Sequence, residues 1–309
     1  MSIQHLPVLL EQALRFLAAG GGGCFVDCTL GLGGHAEAFL ERSTAATLVG
    51  IDRDPQALEL AAARLARFGE RCRLVRGRFS ELERLLTALG IGQVKGVLAD
   101  LGVSALQLET AERGFSFMHD GPLDMRMGSA ERQEITAGEI VNRFPEETLR
   151  KILKEYGEER QAKRIVRAIV ERRREKPLET TGELRRLIEE VKPAPPRQRI
   201  HSATQTFQAL RIAVNHELDE LRALLEQAVR MLESKGRLVV ISYHSLEDRI
   251  AKHTLRELAV GKIEPITGRP LAETQVLEVL TRKPVRPSAE EIAANPRSRS
   301  ARLRAARRL

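Results

Sequence analysis

Acidic side chains and glycines are spaced along the first hundred residues as they would be to hold a nucleoside-containing cofactor. Asp27 precedes the turn Gly31-Leu32-Gly33-Gly34-His35, Asp52 follows Asp27 by 25 residues, and Asp100 opens Asp100-Leu101-Gly102-Val103-Ser104. Glycines let a backbone approach a ligand with no Cβ in the way, and a helix starting after them offers unpaired N–H groups. A tight turn alone would also explain them. A carboxylate at Asp52 can accept hydrogen bonds from both hydroxyls of a ribose, the alternative being a helix cap. Phe79, in Gly77-Arg78-Phe79-Ser80, offers an aromatic face to an adenine or else belongs to the core. An acid at Asp100 can take up a proton where chemistry would occur. NAD and S-adenosylmethionine both meet this description. The dinucleotide fingerprint G-x-G-x-x-G has Ala36 in its third place here, the tolerated variant, so spacing alone keeps both open.

The elements that would position these residues alternate. Residues 24–28 (CFVDC), 47–51 (TLVGI), 72–75 and 94–99 read as buried strands. Helix patterns fill 34–41 and 80–88, and a third helix is opened by Asp54-Pro55 as N-cap and first residue. This rhythm predicts βαβ units and a parallel sheet, whose ligands bind at the carboxyl ends of the strands. All four cofactor features fall at those ends. From about 104 to 200 no β run follows; helices are expected at 145–156, 160–174 and 181–191, then a proline-rich break at 192–197. A long helix over 203–234, a fifth strand at 237–242, a helix from Leu246 and a late strand near 274–281 resume the sheet. The expected organisation is a discontinuous α/β domain, 1–104 and 201–309, interrupted by a helical domain over 105–200.

The 309 residues hold 50 Lys+Arg and 42 Asp+Glu, a net +8. Residues 281–309 hold nine basic and two acidic side chains, so +7 lies in the tail and +1 in the rest. A second excess, eight basic against two acidic, lies at 160–176. Either is a solvated surface or a polyanion contact, since clustered Lys and Arg release counterions from phosphates. The three cysteines, Cys24, Cys28 and Cys72, build neither a disulfide framework nor a zinc quartet, and no metal site is expected. No secretion signal or membrane-spanning run is legible, which implies a cytoplasmic protein without a membrane partner.

The longer strings are more specific. Asp27-Cys-Thr-Leu-Gly-Leu-Gly-Gly-His35, Gly114-Phe-Ser-Phe117, Gly121-Pro-Leu-Asp-Met-Arg-Met127, the segment 201–215 (HSATQTFQALRIAVN), Ser242-Tyr-His-Ser-Leu-Glu-Asp-Arg249 and Asn295-Pro-Arg-Ser-Arg-Ser-Ala301 occur in this order. Together they resemble the small-subunit ribosomal RNA cytosine-N4 methyltransferases of the RsmH/MraW type, over nearly the whole chain. The resemblance implies an α/β fold, a class I S-adenosylmethionine-dependent methyltransferase (Rossmann-like) sheet with an inserted all-helical substrate-recognition domain. It implies S-adenosylmethionine contacts at Gly33, Gly34, His35, Asp52, Phe79, Asp100 and Gln107. It also implies methylation of the exocyclic N4 of a cytidine in 16S rRNA near the decoding centre, in an assembled particle. A homodimer is the self-association to consider.

An exocyclic amine is a weak nucleophile, so the enzyme must hold N4 in line with the methyl group and accept its proton as the nitrogen becomes tetrahedral. Asp100 is the expected catalytic acceptor. Tyr243 and His244 can hold the cytosine or relay the proton, with strand-end packing as their plain alternative. Arg126, Arg211, Arg297 and Arg299 are candidates for phosphate contacts. The tail from Pro296 is expected to bind RNA and to be dispensable for cofactor binding. A nicotinamide oxidoreductase, an RNA-binding assembly factor without activity and a DNA methyltransferase are the competing readings.

Overall fold

The structure is a computed structural model that describes residues 6–128, 135–193, 201–263 and 271–309. In chain order its helices and strands are α1 (Leu10–Phe16), β1 (Gly23–Asp27), α2 (Gly34–Arg42), β2 (Ala46–Asp52), α3 (Pro55–Leu65), β3 (Cys72–Arg76), α4 (Leu82–Ala88) and β4 (Val94–Asp100). Then come α5 (Ala105–Glu109), α6 (Ala137–Arg143), α7 (Glu146–Gly157), α8 (Ala162–Glu175), α9 (Thr181–Val191), α10 (Thr204–Asn215) and α11 (Glu217–Met231). The chain closes with β5 (Leu232–Ser242), α12 (Ser245–Val260), β6 (Leu277–Val279), α13 (Ala289–Ala294) and β7 (Arg302–Arg308). They divide into two compact units, Met1–Gly102 with Leu218–Leu309, and Val103–Glu217. No helix among the described residues is long and apolar enough to cross a membrane.

In the first unit, seven strands among the described residues form one sheet in the order β3-β2-β1-β4-β5-β7-β6. The first five run parallel, and β7 is antiparallel to both neighbours. Strand order reverses between β1 and β4, which is where an open α/β sheet presents its ligand crevice. Side chains alternate between the two faces, as the pleat requires. Val26, Val49, Val97, Leu238 and Val240 pack with α4, α11 and α12, while Phe25, Leu48, Leu98, Val239 and Ile241 pack with α1, α2 and α3. The sheet and its inserted helices are the α/β architecture that the resemblance implied.

The second unit buries its own core. Leu149 and Leu153 of α7, Ile165, Val166 and Ile169 of α8, Leu184 and Ile188 of α9, and Ala209 and Leu210 of α10 share one cluster.

Three expectations need correction. The segment 201–217, assigned from sequence to the α/β domain, belongs with the helices: α10 lies so close to α7 that a Cβ on Gly157 would stand 2.4 Å from the Gln205 carbonyl oxygen. The single helix expected over 203–234 is two, because His216 adopts a left-handed conformation (φ 52°), and the second ends at Met231. The tail is no free arm. Residues 302–308 are the interior strand β7, with Leu303, Ala305 and Ala306 fully buried. Arg304 is 7% exposed and donates from Nε to Asp248 Oδ1 at 2.7 Å, Arg302 lies 3.5 Å from the same carboxylate, and Arg307 pairs with Glu278. Of the proline-rich break, residues 194–197 lie outside the described residues.

Candidate active site

Asp27, Asp52 and Asp100 end β1, β2 and β4, so the sheet delivers three carboxylates to one end. Asp27 is 2% exposed and accepts a hydrogen bond from the Thr29 N–H at 3.1 Å. Burial pushes its carboxyl up to about 7, against that hydrogen bond and with help from the charge of Asp52. Asp52 accepts from the Gly31 N–H at 2.8 Å through Oδ2 and from the Asp54 N–H at 2.9 Å through Oδ1. Burial raises its pKa too, with those N–H groups opposing. The Arg53 N–H bonds this carboxylate as well, so of its about four acceptor positions about one remains for a ribose hydroxyl.

The glycine turn stands beside them. Gly33, the N-cap of α2, has φ 77°, and a Cβ there would lie 3.1 Å from Leu65; a Cβ on Gly34 would lie 2.7 Å from Pro7. The turn is therefore closely packed from outside as well as open to a ligand's approach. His35, in the first turn of α2, is buried, and its Nε2 lies 3.0 Å from the Val8 carbonyl oxygen. A carbonyl only accepts, so Nε2 donates and Nδ1 faces Asp100 Oδ2, at 3.8 Å.

Asp100 is fixed by two hydrogen bonds. Its N–H donates to Thr29 Oγ1 at 2.6 Å, and its Oδ1 accepts from the Tyr243 hydroxyl at 2.8 Å. The Tyr243 ring in turn lies over Gly102, whose φ is 98° and whose Cβ, were there one, would stand 3.3 Å from the ring. Burial raises the Asp100 carboxyl to about 8; the Tyr243 hydrogen bond lowers it, and the charges of Asp27 and Glu247 raise it further. Burial and the neighbouring Asp100 push the Tyr243 phenol well above its usual range, so it stays a donor.

The other expected residues divide. Phe79 begins a turn beyond β3, partly packed against the core that holds Leu82 and partly exposed. His244 is the N-cap of α12: its Nδ1 accepts from the Glu247 N–H at 3.4 Å, while Glu247 Oε2 accepts from the Tyr243 N–H at 2.9 Å. Tyr243 thus meets Asp100 and His244 shapes the turn that presents it. Gln107 lies in the helical unit, where it caps α5 through the Ser104 N–H at 3.0 Å. In that unit Arg126 binds Asp124, at 2.6 and 2.9 Å, and Arg211 binds Glu217 with two bonds of 2.8 Å. Arg297 and Arg299 are exposed on the turn Pro296–Ser300.

Sequence reasoning missed Thr29, which ties the exits of β1 and β4 together, and Glu247. A hydroxyl two residues after Asp27 was the available signal for the first. The segment before α1 had no signal. Its Leu9 N–H donates to Glu291 at 2.7 Å, and the Leu6 carbonyl accepts from Asn295 at 3.1 Å, contacts made 282 and 289 residues away.

The sequence profile of the MraW methylase family matches residues 2–309. The chain is 49% identical over 318 residues to the ribosomal RNA small subunit methyltransferase H of Pelobacter propionicus, covering 99% of each protein. It is 47% identical over 313 residues to the protein of that name from Symbiobacterium thermophilum, covering 99% of this chain and 96% of the relative. With that of Geotalea uraniireducens it shares 48% over 312 residues, covering 99% and 98%.

Proposed function

The chain belongs to the MraW methylase family, and we propose that it methylates the exocyclic N4 of a cytidine near the decoding centre of 16S rRNA, acting in the cytoplasm on an assembled small subunit. It is a methyltransferase that uses S-adenosylmethionine. The observation that supports the reading is the meeting of three strand-end carboxylates with a glycine turn, in a chain that matches a methylase family from end to end. The site fits the cofactor. A crevice whose carboxyls are raised by burial and by one another gains most from a ligand that brings positive charge, and Asp52 keeps an acceptor position for a ribose. Gly33, Gly34, His35, Asp52, Phe79 and Asp100 would hold it, and Gln107 is the further contact that the resemblance implies. When bound, S-adenosylmethionine supplies an electrophilic methyl group on a sulfonium.

The protein's own work is positioning and proton acceptance. Tyr243 occupies Asp100 Oδ1, which leaves Oδ2 for the N–H of the attacking amine. As that nitrogen becomes tetrahedral its N–H grows acidic, so the acceptor favours the transition state over the ground state. Positive charge beside Asp100 favours its ionised form, the form able to accept. A cytosine must leave its stack to reach such a crevice, at a cost of about a few kcal/mol.

The test is incubation with labelled cofactor and either purified 16S rRNA or assembled small subunits, followed by nucleoside mass spectrometry. N4-methylcytidine formed on the assembled particle is expected. A label on carbon 5, on another base, or on neither RNA would refute the assignment.

A further inference from the structure

We propose that the exposed face of α8 is the surface that grips the phosphate backbone of the RNA, without regard to base sequence. This rests on the ribosomal RNA reading above. The sequence offered two cationic regions, and the fold engages part of one of them: β7 holds Arg302, Arg304 and Arg307 in ion pairs along the sheet.

The other region is different. The unit Val103–Glu217 has 21 basic and 19 acidic residues, a net +2. Residues 160–176 alone contribute +6, so the remainder of the unit stands at −4. At 100° per residue, Lys163, Arg164, Arg167 and Arg174 fall within an arc of about 100°, spread over about 17 Å of helix. The opposite side carries Ala162, Ile165, Val166 and Ile169 into the core. With its apolar side buried, the helix has no face to lay into a membrane, and a polyanion is the partner that fits.

Intramolecular pairing leaves this arc charged. Arg167 donates to Glu171 at 2.8 Å, and Arg164 donates to the neutral side chain of Gln161 at 2.9 Å and forms no ion pair among the described residues. Lys163 and Arg174 make no ion pair among the described residues. The placement is also poor for stability. Lys163 and Arg164 lie in the first turn, where the helix dipole favours acids, and that turn contains none. By contrast α7, α9 and α12 each carry Glu or Asp in the first turn. Cations kept where they weaken the helix point to an anion bound there.

The experiment compares wild-type protein with the triple variant Lys163→Gln, Arg164→Gln, Arg174→Gln. Affinity for a 16S rRNA fragment and for polyuridylate of equal length is measured across salt concentrations. Each lost phosphate contact should flatten the log–log salt slope by about 0.7 to 0.9, so the variant's slope should be about 2 smaller on both RNAs. Affinity at low salt should fall about tenfold or more, while cofactor affinity holds and the thermal midpoint holds or rises. The charge-preserving variant Lys163→Arg, Arg164→Lys, Arg174→Lys should keep the wild-type slope. An unchanged slope in the glutamine variant, or a loss confined to the 16S fragment, overturns the proposal. Wild-type protein that binds no RNA at either salt limit defeats the ribosomal RNA reading, and this inference with it.

Discussion

In the free protein the Asp100 carboxyl, held at about 8 by burial, carries its proton at neutral pH, although the chemistry needs it ionised. A cationic cofactor beside it should expel that proton. Calorimetry at pH 7 in buffers of differing ionisation enthalpy should therefore show a net release of up to about one proton per cofactor bound; a buffer-independent heat would contradict it. Stability carries the opposite sign. A carboxyl whose pKa is raised on folding makes the folded state bind more protons than the unfolded one, so stability falls as pH rises from about 4 to about 8. Asp100→Asn should abolish turnover and yet raise the thermal midpoint at pH 8 more than at pH 5. Tyr243→Phe removes the hydrogen bond that favours the ionised form, a bond to a charged group worth about 1.5–3 kcal/mol. Its acid limb of kcat should move about one unit or more to higher pH, whereas a loss of rate with an unmoved profile would reduce Tyr243 to packing. Residue type and spacing alone make Asp52 and Asp100 legible in the sequence. Thr29 and Tyr243 reach Asp100 across 71 and 143 residues of chain, and no local pattern encodes those bonds.

At the scale of elements, β7 is the strand whose composition misleads. Arg302-Leu-Arg-Ala-Ala-Arg-Arg308 lacks the branched apolar run of a buried strand, so it reads as a basic arm. Pairing with β5 on one side and β6 on the other overrides that composition, and Asp248 of α12 neutralises Arg304, which the pairing buries. Deleting 296–309 should therefore abolish folding and cofactor binding together, seen as loss of the cooperative melt. Arg304→Ala leaves Asp248, its side chain only 15% exposed, with the longer contact to Arg302 alone, and should cost up to the about 3–5 kcal/mol of a broken buried pair. Arg304→Met combined with Asp248→Leu should regain part of that stability, because the only charge it deprives of Asp248 is Arg302, whose side chain is 27% exposed. A double variant no more stable than Arg304→Ala would show that the pair itself, and not the stranded charge, sets the cost. The break at His216 was illegible for a similar reason: neither glycine nor proline marks it, and a histidine takes the left-handed conformation that usually signals a helix end.

For the whole molecule, each of the two units buries its own core. The three strand-end carboxylates lie in the sheet unit, and the cationic arc of α8 lies in the helical one. The interruption of strand rhythm near residue 104 was enough to find the helical unit, but its far end was misplaced by 17 residues. The apolar period of α10 suits either core, and only its packing on α7 decides between them. At 115 residues, with its own buried cluster from Phe115 to Val214, the helical unit is of ordinary domain size. A protein comprising residues 103–217 alone should therefore melt cooperatively with a helical dichroism spectrum. It should bind polyuridylate with a salt slope that the α8 substitutions flatten, and should transfer no methyl group, since Asp27, Asp52 and Asp100 are all absent from it. If the isolated unit folds but binds RNA without salt dependence, phosphate recognition belongs to the sheet unit after all, and the exposed arginines at 297 and 299 become the place to look.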